Sequence, residues 1–119
     1  MDPTQPAPAT ISYDDFAKLD LRVATVLEAQ PIEKSKKLIK IQLDLGNGER
    51  QQILAGIKEH YTAEQLVGRQ IIVVANLAPR EVIKGEMSYG MLLAASDAIT
   101  NKVVVLAPAD PVSPGSKVK

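Results

Sequence analysis

Apolar positions in this chain recur mostly at every second residue and in short runs, the spacing that puts side chains on one face of a strand. Residues 38–45 alternate most cleanly, with Ile39, Ile41, Leu43 and Leu45 on one side and Lys40, Gln42 and Asp44 on the other. The Gly46-Asn47-Gly48 that follows is a turn signal, because both residue types accept positive φ. Residues 50–57 return as the next strand, which predicts a hairpin. Residues 21–29 set Leu21, Val23, Thr25 and Leu27 opposite Arg22, Ala24, Val26 and Glu28. Both sides are partly apolar, so this strand is expected to be covered on both faces for part of its length. Ile71, Ile72, Val73 and Val74 make residues 70–75 continuously apolar, which predicts a buried strand. Residues 91–95 and 102–106 read as two more short strands.

Two short helices fit between these runs. Over residues 12–19, Ser12 is the cap, Asp15 completes a capping-box pattern, and Phe16 and Leu19 would form the buried side. Over residues 62–67, Thr62 caps, Gln65 is its box partner and Gly68 is the stop. Residues 76–90 read as a long connection bearing Pro79, Gly85 and Gly90. The order is three strands, a helix, a strand, a long loop and a strand. That order predicts an all-β chain: an OB-fold five-stranded barrel with short helices, which carries its helix between the third and fourth strands. Residues 107–119, with three prolines and one glycine, form a C-terminal extension, irregular and packed in part. Pro3, Pro6 and Pro8 mark residues 1–10 as a flexible leader, leaving residues 11–119 as one domain.

Composition narrows the functional classes. Cysteine is absent, which removes disulfides, zinc–thiolate sites and cysteine nucleophiles and fits a reducing, cytoplasmic setting. No apolar run approaches the roughly 20 residues of a membrane span. The net charge of zero conceals a segregation. Residues 1–33 hold two basic and six acidic residues, whereas residues 34–84 hold nine basic and five acidic. A neutral total can therefore carry a basic face, and the face is what a polyanion feels.

Catalysis finds no constellation. His60 is the only histidine, and a lone histidine before a short helix reads as structural or surface. Gly46-Asn47-Gly48 lacks the glycine and lysine of a phosphate loop. No His, Asp and Glu share metal-ligand spacing, and Ser88 lacks the preceding glycine of a nucleophile elbow. Neither a cofactor nor a metal is expected.

Binding has two signals. Lys34, Lys36 and Lys37, with Lys40 following, sit in the loop between the first two strands. In an OB fold that loop borders the oligonucleotide face, where lysines contact phosphates without reading sequence; the same spacing equally suits a solvated loop. The second signal is the long connection, because a loop of that length in a compact domain is usually functional. It offers Asn76, cations at Arg80 and Lys84, the Ser88 hydroxyl, the Tyr89 ring and the thioethers of Met87 and Met91. Arginine and tyrosine stack on unpaired bases. Its prolines and glycines also suit a purely structural turn, and Met91 suits either a core strand or a ligand contact.

The ordered stretches Asp20-Leu21-Arg22-Val23, Leu43-Asp44-Leu45-Gly46, Ala55-Gly56-Ile57 with Tyr61, Asn76-Leu77-Ala78-Pro79-Arg80 and Gly85-Glu86-Met87-Ser88-Tyr89-Gly90-Met91 resemble the tRNA-binding domain family. That family includes the C-terminal appendix of bacterial methionyl-tRNA synthetases and small stand-alone tRNA-binding proteins. The resemblance implies an OB-fold homodimer that grips the outer corner of tRNA by shape and has no catalytic activity of its own. Methionyl-tRNA synthetase is an implied partner. The implied RNA contacts are Asn76, Arg80, Ser88 and Met91, supported by Lys34, Lys36 and Lys37 of the first loop; the reading of the long connection adds Lys84. Three positions depart from the pattern: Tyr89 where Glu or Gln is usual, Glu81 where a basic residue often follows Arg80, and Lys36 where the loop often has an acid. A protein-secretion chaperone family resembles the same fold and dimer, so the alternative is a dimeric peptide-binding chaperone using apolar surface.

Overall fold

The computed structural model describes residues 9–119. Most of the predicted leader, residues 1–8, lies outside them. The elements run α1 (Tyr13–Ala17), β1 (Leu21–Pro31), β2 (Ile39–Asp44), β3 (Arg50–Ala55), α2 (Ala63–Leu66), β4 (Gln70–Val74), β5 (Arg80–Ile83), β6 (Glu86–Ser88), β7 (Met91–Leu92), β8 (Ala94–Asp97) and β9 (Lys102–Val105). Five strands form one antiparallel sheet in the order β3-β2-β1-β4-β7, and β5–β6 and β8–β9 form separate ribbons. The sheet curls into a nearly closed barrel. Tyr89 N–H, just before β7, donates across the gap to the Gln52 carbonyl on β3 at 2.9 Å. This is the predicted all-β, OB-like architecture.

The curl starts in β1. Leu21 to Thr25 pair with β4, and Thr25 to Pro31 pair with β2, with a register shift between Val26 and Glu28. An extra residue at a bulge bends a strand and sharpens its twist, so one strand serves two neighbours that face each other across the core. Inside the curl, Ala24, Val26, Ile39, Ile41, Leu43, Ile53, Leu66, Ile71 and Val73 form one buried cluster. The clean alternation of β2 is explained directly, since its apolar side lines this core.

Leu21 and Val23, on the face of β1 opposite Ala24 and Val26, are buried as well. The C-terminal extension runs along the free edge of the strand and pairs with its backbone. Val23 N–H donates to Ser116 O at 2.9 Å, Gly115 N–H to Val23 O at 2.7 Å and Val118 N–H to Leu21 O at 2.9 Å. The extension also touches the β2–β3 turn. A side chain at Gly46 would drive into the Pro114 carbonyl, and one at Gly115 into the Leu45 carbonyl; both glycines have positive φ, +84° and +88°. Arg22 alternates onto the Ala24 side of β1 and is partly exposed. Its guanidinium meets Asp20 at 2.8 Å and Glu49 at 2.7 Å, and Lys117 reaches Asp20 at 3.8 Å. The Arg22 contacts hold the Asp20 carboxyl below the usual carboxylate range and push the guanidinium still higher.

Two expectations need correction. Both capping boxes form, on Ser12 with Asp15 and on Thr62 with Gln65. Yet α1 buries none of its residues: Phe16 is half-buried and Leu19 is 43% exposed, because one turn of helix lies outside the barrel wall. The connection over residues 76–90 also holds more structure than a loop. Arg80 pairs with Ser88, Glu81 with Met87 and Ile83 with Glu86, across a turn at Lys84-Gly85.

Gly115→Ala should cost about 2 kcal/mol or more, because it adds a clash to a left-handed backbone. Gly48→Ala, with open space around it, should cost roughly 1–2 kcal/mol from conformation alone. Urea unfolding of both variants checks the order, and equal losses would refute the packing of the extension on the turn. Asp20 contributes stability that is present above its unfolded pKa and lost as pH falls through its depressed folded value. Asp20→Asn should therefore lose roughly 1.5–3 kcal/mol at neutral pH and flatten the acid limb of a stability–pH curve.

Candidate nucleic-acid interface

The loop over residues 32–38, between β1 and β2, is held by its own backbone and by one partly buried lysine. Ile32 N–H donates to Leu38 O at 3.0 Å. The Ser35 hydroxyl accepts from the Lys37 and Leu38 amides, each at 3.2 Å. Lys58, past the end of β3, donates its ammonium to Ile32 O at 3.0 Å and Ser35 O at 2.9 Å. With those carbonyls occupied, the loop projects Lys34, Lys36 and Lys37 into solvent, all three exposed.

The β5–β6 ribbon lies beside this loop. Lys34 donates its ammonium to the Lys84 carbonyl at the ribbon's tip, and Lys40 on β2 pairs with Glu86 on β6 at 3.1 Å. Gln52 on β3 donates to Met87 O at 2.8 Å, and Leu54 N–H donates to the Ser88 hydroxyl at 3.0 Å. The ribbon is thus pinned to β2, β3 and the first loop. Glu81, which departs from the expected basic residue, accepts from Gly85 N–H at 2.9 Å and shapes the tip.

The predicted site residues divide by how their side chains are used. Lys34 and Lys84 meet at the loop–ribbon junction. Lys36, Lys37, Arg80 and Lys84 form no ion pair among the described residues and are exposed. Asn76 is committed internally: its carbonyl oxygen accepts from Asp20 N–H at 2.9 Å, and its amide donates to Lys18 O at 2.7 Å. Ser88 is 7% exposed, and its hydroxyl also donates to Gly90 O at 2.9 Å. Where the sequence suggested a freely offered hydroxyl, the structure shows one that locks the ribbon to β3. Met91 begins β7 opposite Val74, yet the residue is 47% exposed, so its backbone belongs to the barrel while it stays open to solvent.

Arg80, Ser88 and Met91 come together around a recess of about 330 Å³, whose other walls are Leu54, Leu77, Ala78, Val82 and Gly90. Asn76 and the lysine loop lie outside it. Sequence reasoning missed Lys58, whose role depends on the fold bringing it under a distant loop and leaves no local signal. It also missed the ribbon, which Lys84-Gly85 between Val82-Ile83 and Met87 could have revealed as a hairpin turn. Among the described residues no group of three or more His, Asp or Glu could hold a metal ion, and no helix is long and apolar enough to cross a membrane.

Comparisons with known proteins bear on this surface. The family model described as "Putative tRNA binding domain" matches residues 21–117. A methionine–tRNA ligase of Methanococcoides burtonii is 48% identical over 106 residues, covering 89% of this chain and 15% of the ligase. The chain thus spans under one fifth of the length of such relatives. A solved MetRS-related protein from Pyrococcus horikoshii superposes with a TM-score of 0.86 at 34% identity, covering 94% of this chain and 100% of that one. The chaperone CsaA of Bacillus anthracis superposes at 0.81 with 31% identity, covering 93% and 100%. With a family match spanning nearly every described strand, and with its β-barrel shared by these structures, the chain belongs to the tRNA-binding domain family.

Proposed function

We propose that this chain binds tRNA without reading its sequence, through the face where the loop over residues 32–38 meets the β5–β6 ribbon. The observation that carries the reading is the junction itself. Lys34 anchors on the Lys84 carbonyl, so Lys36, Lys37, Lys84 and Arg80 present positive charge from one continuous surface. Exposed lysines contact phosphates, which position a nucleic acid and carry no base identity. Ser88 supports this face from within by tying the ribbon to β3, whereas Asn76 fixes the Lys18–Asp20 segment. The domain itself carries out no catalysis; in a methionyl-tRNA synthetase or beside one, it adds grip on the substrate tRNA. This reading places the chain in the cytoplasm, where tRNA is charged.

The working unit is a homodimer. Among the described residues, Ile11, Tyr13 (78% exposed) and Leu19 leave exposed apolar side chains on the N-terminal segment, and exposed apolar surface is what an interface uses. The resemblance to CsaA supports a second reading, a peptide-binding chaperone that uses the apolar recess beside Arg80. The free cations around that recess favour RNA.

Titrating labelled tRNA at 50 and 200 mM salt should show affinity falling about 10²-fold, the release expected from roughly four phosphate contacts. Replacing Lys37 and Arg80 together with alanine should reduce the salt slope by about two contacts while changing stability by less than about 0.5 kcal/mol. Binding indifferent to salt, or absent at 50 mM, would sink the RNA reading. In sedimentation at micromolar concentration the chain should run as a dimer, and the Tyr13→Ser, Leu19→Ser variant as a monomer. An unchanged dimer in that variant would place the interface elsewhere.

A further inference from the structure

The recess between β3, the residues 77–78 segment and the β5–β6 ribbon has a chemistry that phosphate contacts do not use. Leu54, Ala78, Val82 and Met91 give it apolar walls, Arg80 stands at its edge, and no carboxylate lines it. Of the two acids on the ribbon, Glu81 accepts from the Gly85 amide and Glu86 pairs with Lys40. Arg80 forms no ion pair among the described residues. The backbone framing the recess is held rigidly, since Ser88 bridges Leu54 N–H and Gly90 O.

Apolar walls beneath a planar cation suit a flat, uncharged, polarisable group attached to an anion. A nucleobase on its phosphate is such a group. Unpaired bases are recognised by stacking on side-chain faces, the arginine plane included, and thioethers pack favourably against aromatic rings. An apolar peptide would match the walls and leave Arg80 and the adjoining lysines without an anion. A rigid duplex surface would contact the cations and leave the recess empty.

We propose that the recess receives one unstacked base of the bound tRNA, sandwiched between the Arg80 guanidinium and the Met91 thioether, with Arg80 also meeting the adjoining phosphate. This rests on the tRNA reading above and adds a pocket to it. Binding then selects tRNA in which one nucleotide can leave its stack, a requirement separate from total charge. The base itself is held by stacking, so the pocket tolerates different bases.

The experiment compares the wild-type chain with Ala78→Phe, which fills the recess from an exposed position, and with Met91→Ala, which removes one wall. Unfractionated tRNA is titrated at 50 mM salt, and a single tRNA is probed by 2′-hydroxyl acylation with and without each protein. The wild type should change the reactivity of one or two neighbouring nucleotides. Both variants should retain salt-dependent binding, weakened roughly tenfold by loss of one base stack, and should leave those nucleotides as in free tRNA. Thermal melting confirms that each variant is folded, and either folded variant suffices. A folded variant that binds as tightly as wild type and yields the same reactivity pattern overturns the pocket. So does an apolar peptide that occupies the wild-type recess while the tRNA reactivity change persists. Absence of any wild-type tRNA binding at 50 mM salt is a different failure, that of the tRNA reading itself.

Discussion

Much of this structure hangs on a single strand having to pair with two partners that face each other. β1 gives Leu21 to Thr25 to β4 and Thr25 to Pro31 to β2, and the register shift between Val26 and Glu28 supplies the bend between the two halves. A straight strand of eleven residues would span about 36 Å at a typical rise and would hold the sheet open. The bend curls it instead, bringing the end of β1 and the loop beyond it against the ribbon that follows β4. The Lys34–Lys84 contact joins residues fifty positions apart, and it exists because of that curl. The cationic face is therefore a consequence of barrel closure more than of local charge density.

The C-terminal extension pairs with the edge of β1 that β2 leaves free. Leu21 and Val23 are buried on the face opposite the core cluster, which matches the apolar character of both faces of this strand. The extension has little regular structure, so its position is fixed by backbone bonds to β1 and by the close approach of Gly46 and Gly115. Arg22, Asp20, Glu49 and Lys117 close the seam from outside. The charge there is spent on structure, and it lies at the opposite end of β1 from the lysine loop.

The legibility of the fold follows the range of the interactions involved. Local rules were readable: the alternation of β2, the Gly46-Asn47-Gly48 turn, and the two capping boxes each depend on residues within four positions. The exposure of α1 was not, because Phe16 and Leu19 look like a buried stripe until the barrel wall is seen to close without them. Nor was the status of Ser88. A serine beside two glycines in a long connection reads as an available hydroxyl. Only the packing of the ribbon on β3 turns it into a bridge between Leu54 and Gly90. Lys58 makes the same point with charge, since by sequence it is one more basic residue and in the fold its ammonium is a staple. The family resemblance pointed to Asn76 and Arg80 alike, whereas the structure commits the Asn76 amide to Asp20 and Lys18 and leaves Arg80 without an ion pair among the described residues.

That distinction bears on how a neutral chain can hold a polyanion. Flexible lysines pay conformational entropy for each phosphate contact, and the cost is greater when the backbone beneath them must also be ordered. Here it is ordered beforehand: Lys58 and Ser35 fix the first loop, Glu81 fixes the ribbon tip, and Ser88 and Gln52 fix the ribbon to the barrel. Only the ends of Lys36, Lys37, Lys84 and Arg80 remain to be immobilised. Preorganisation of this kind lowers the cost of binding without adding a contact. It also limits the spacing between cations, so on the proposed function the surface would favour polyanions whose phosphates match that arrangement. On the function proposed above, a chain with no net charge would hold a folded RNA by rigid placement of a few cations, while acids such as Asp20, Glu49 and Glu81 are engaged within the scaffold.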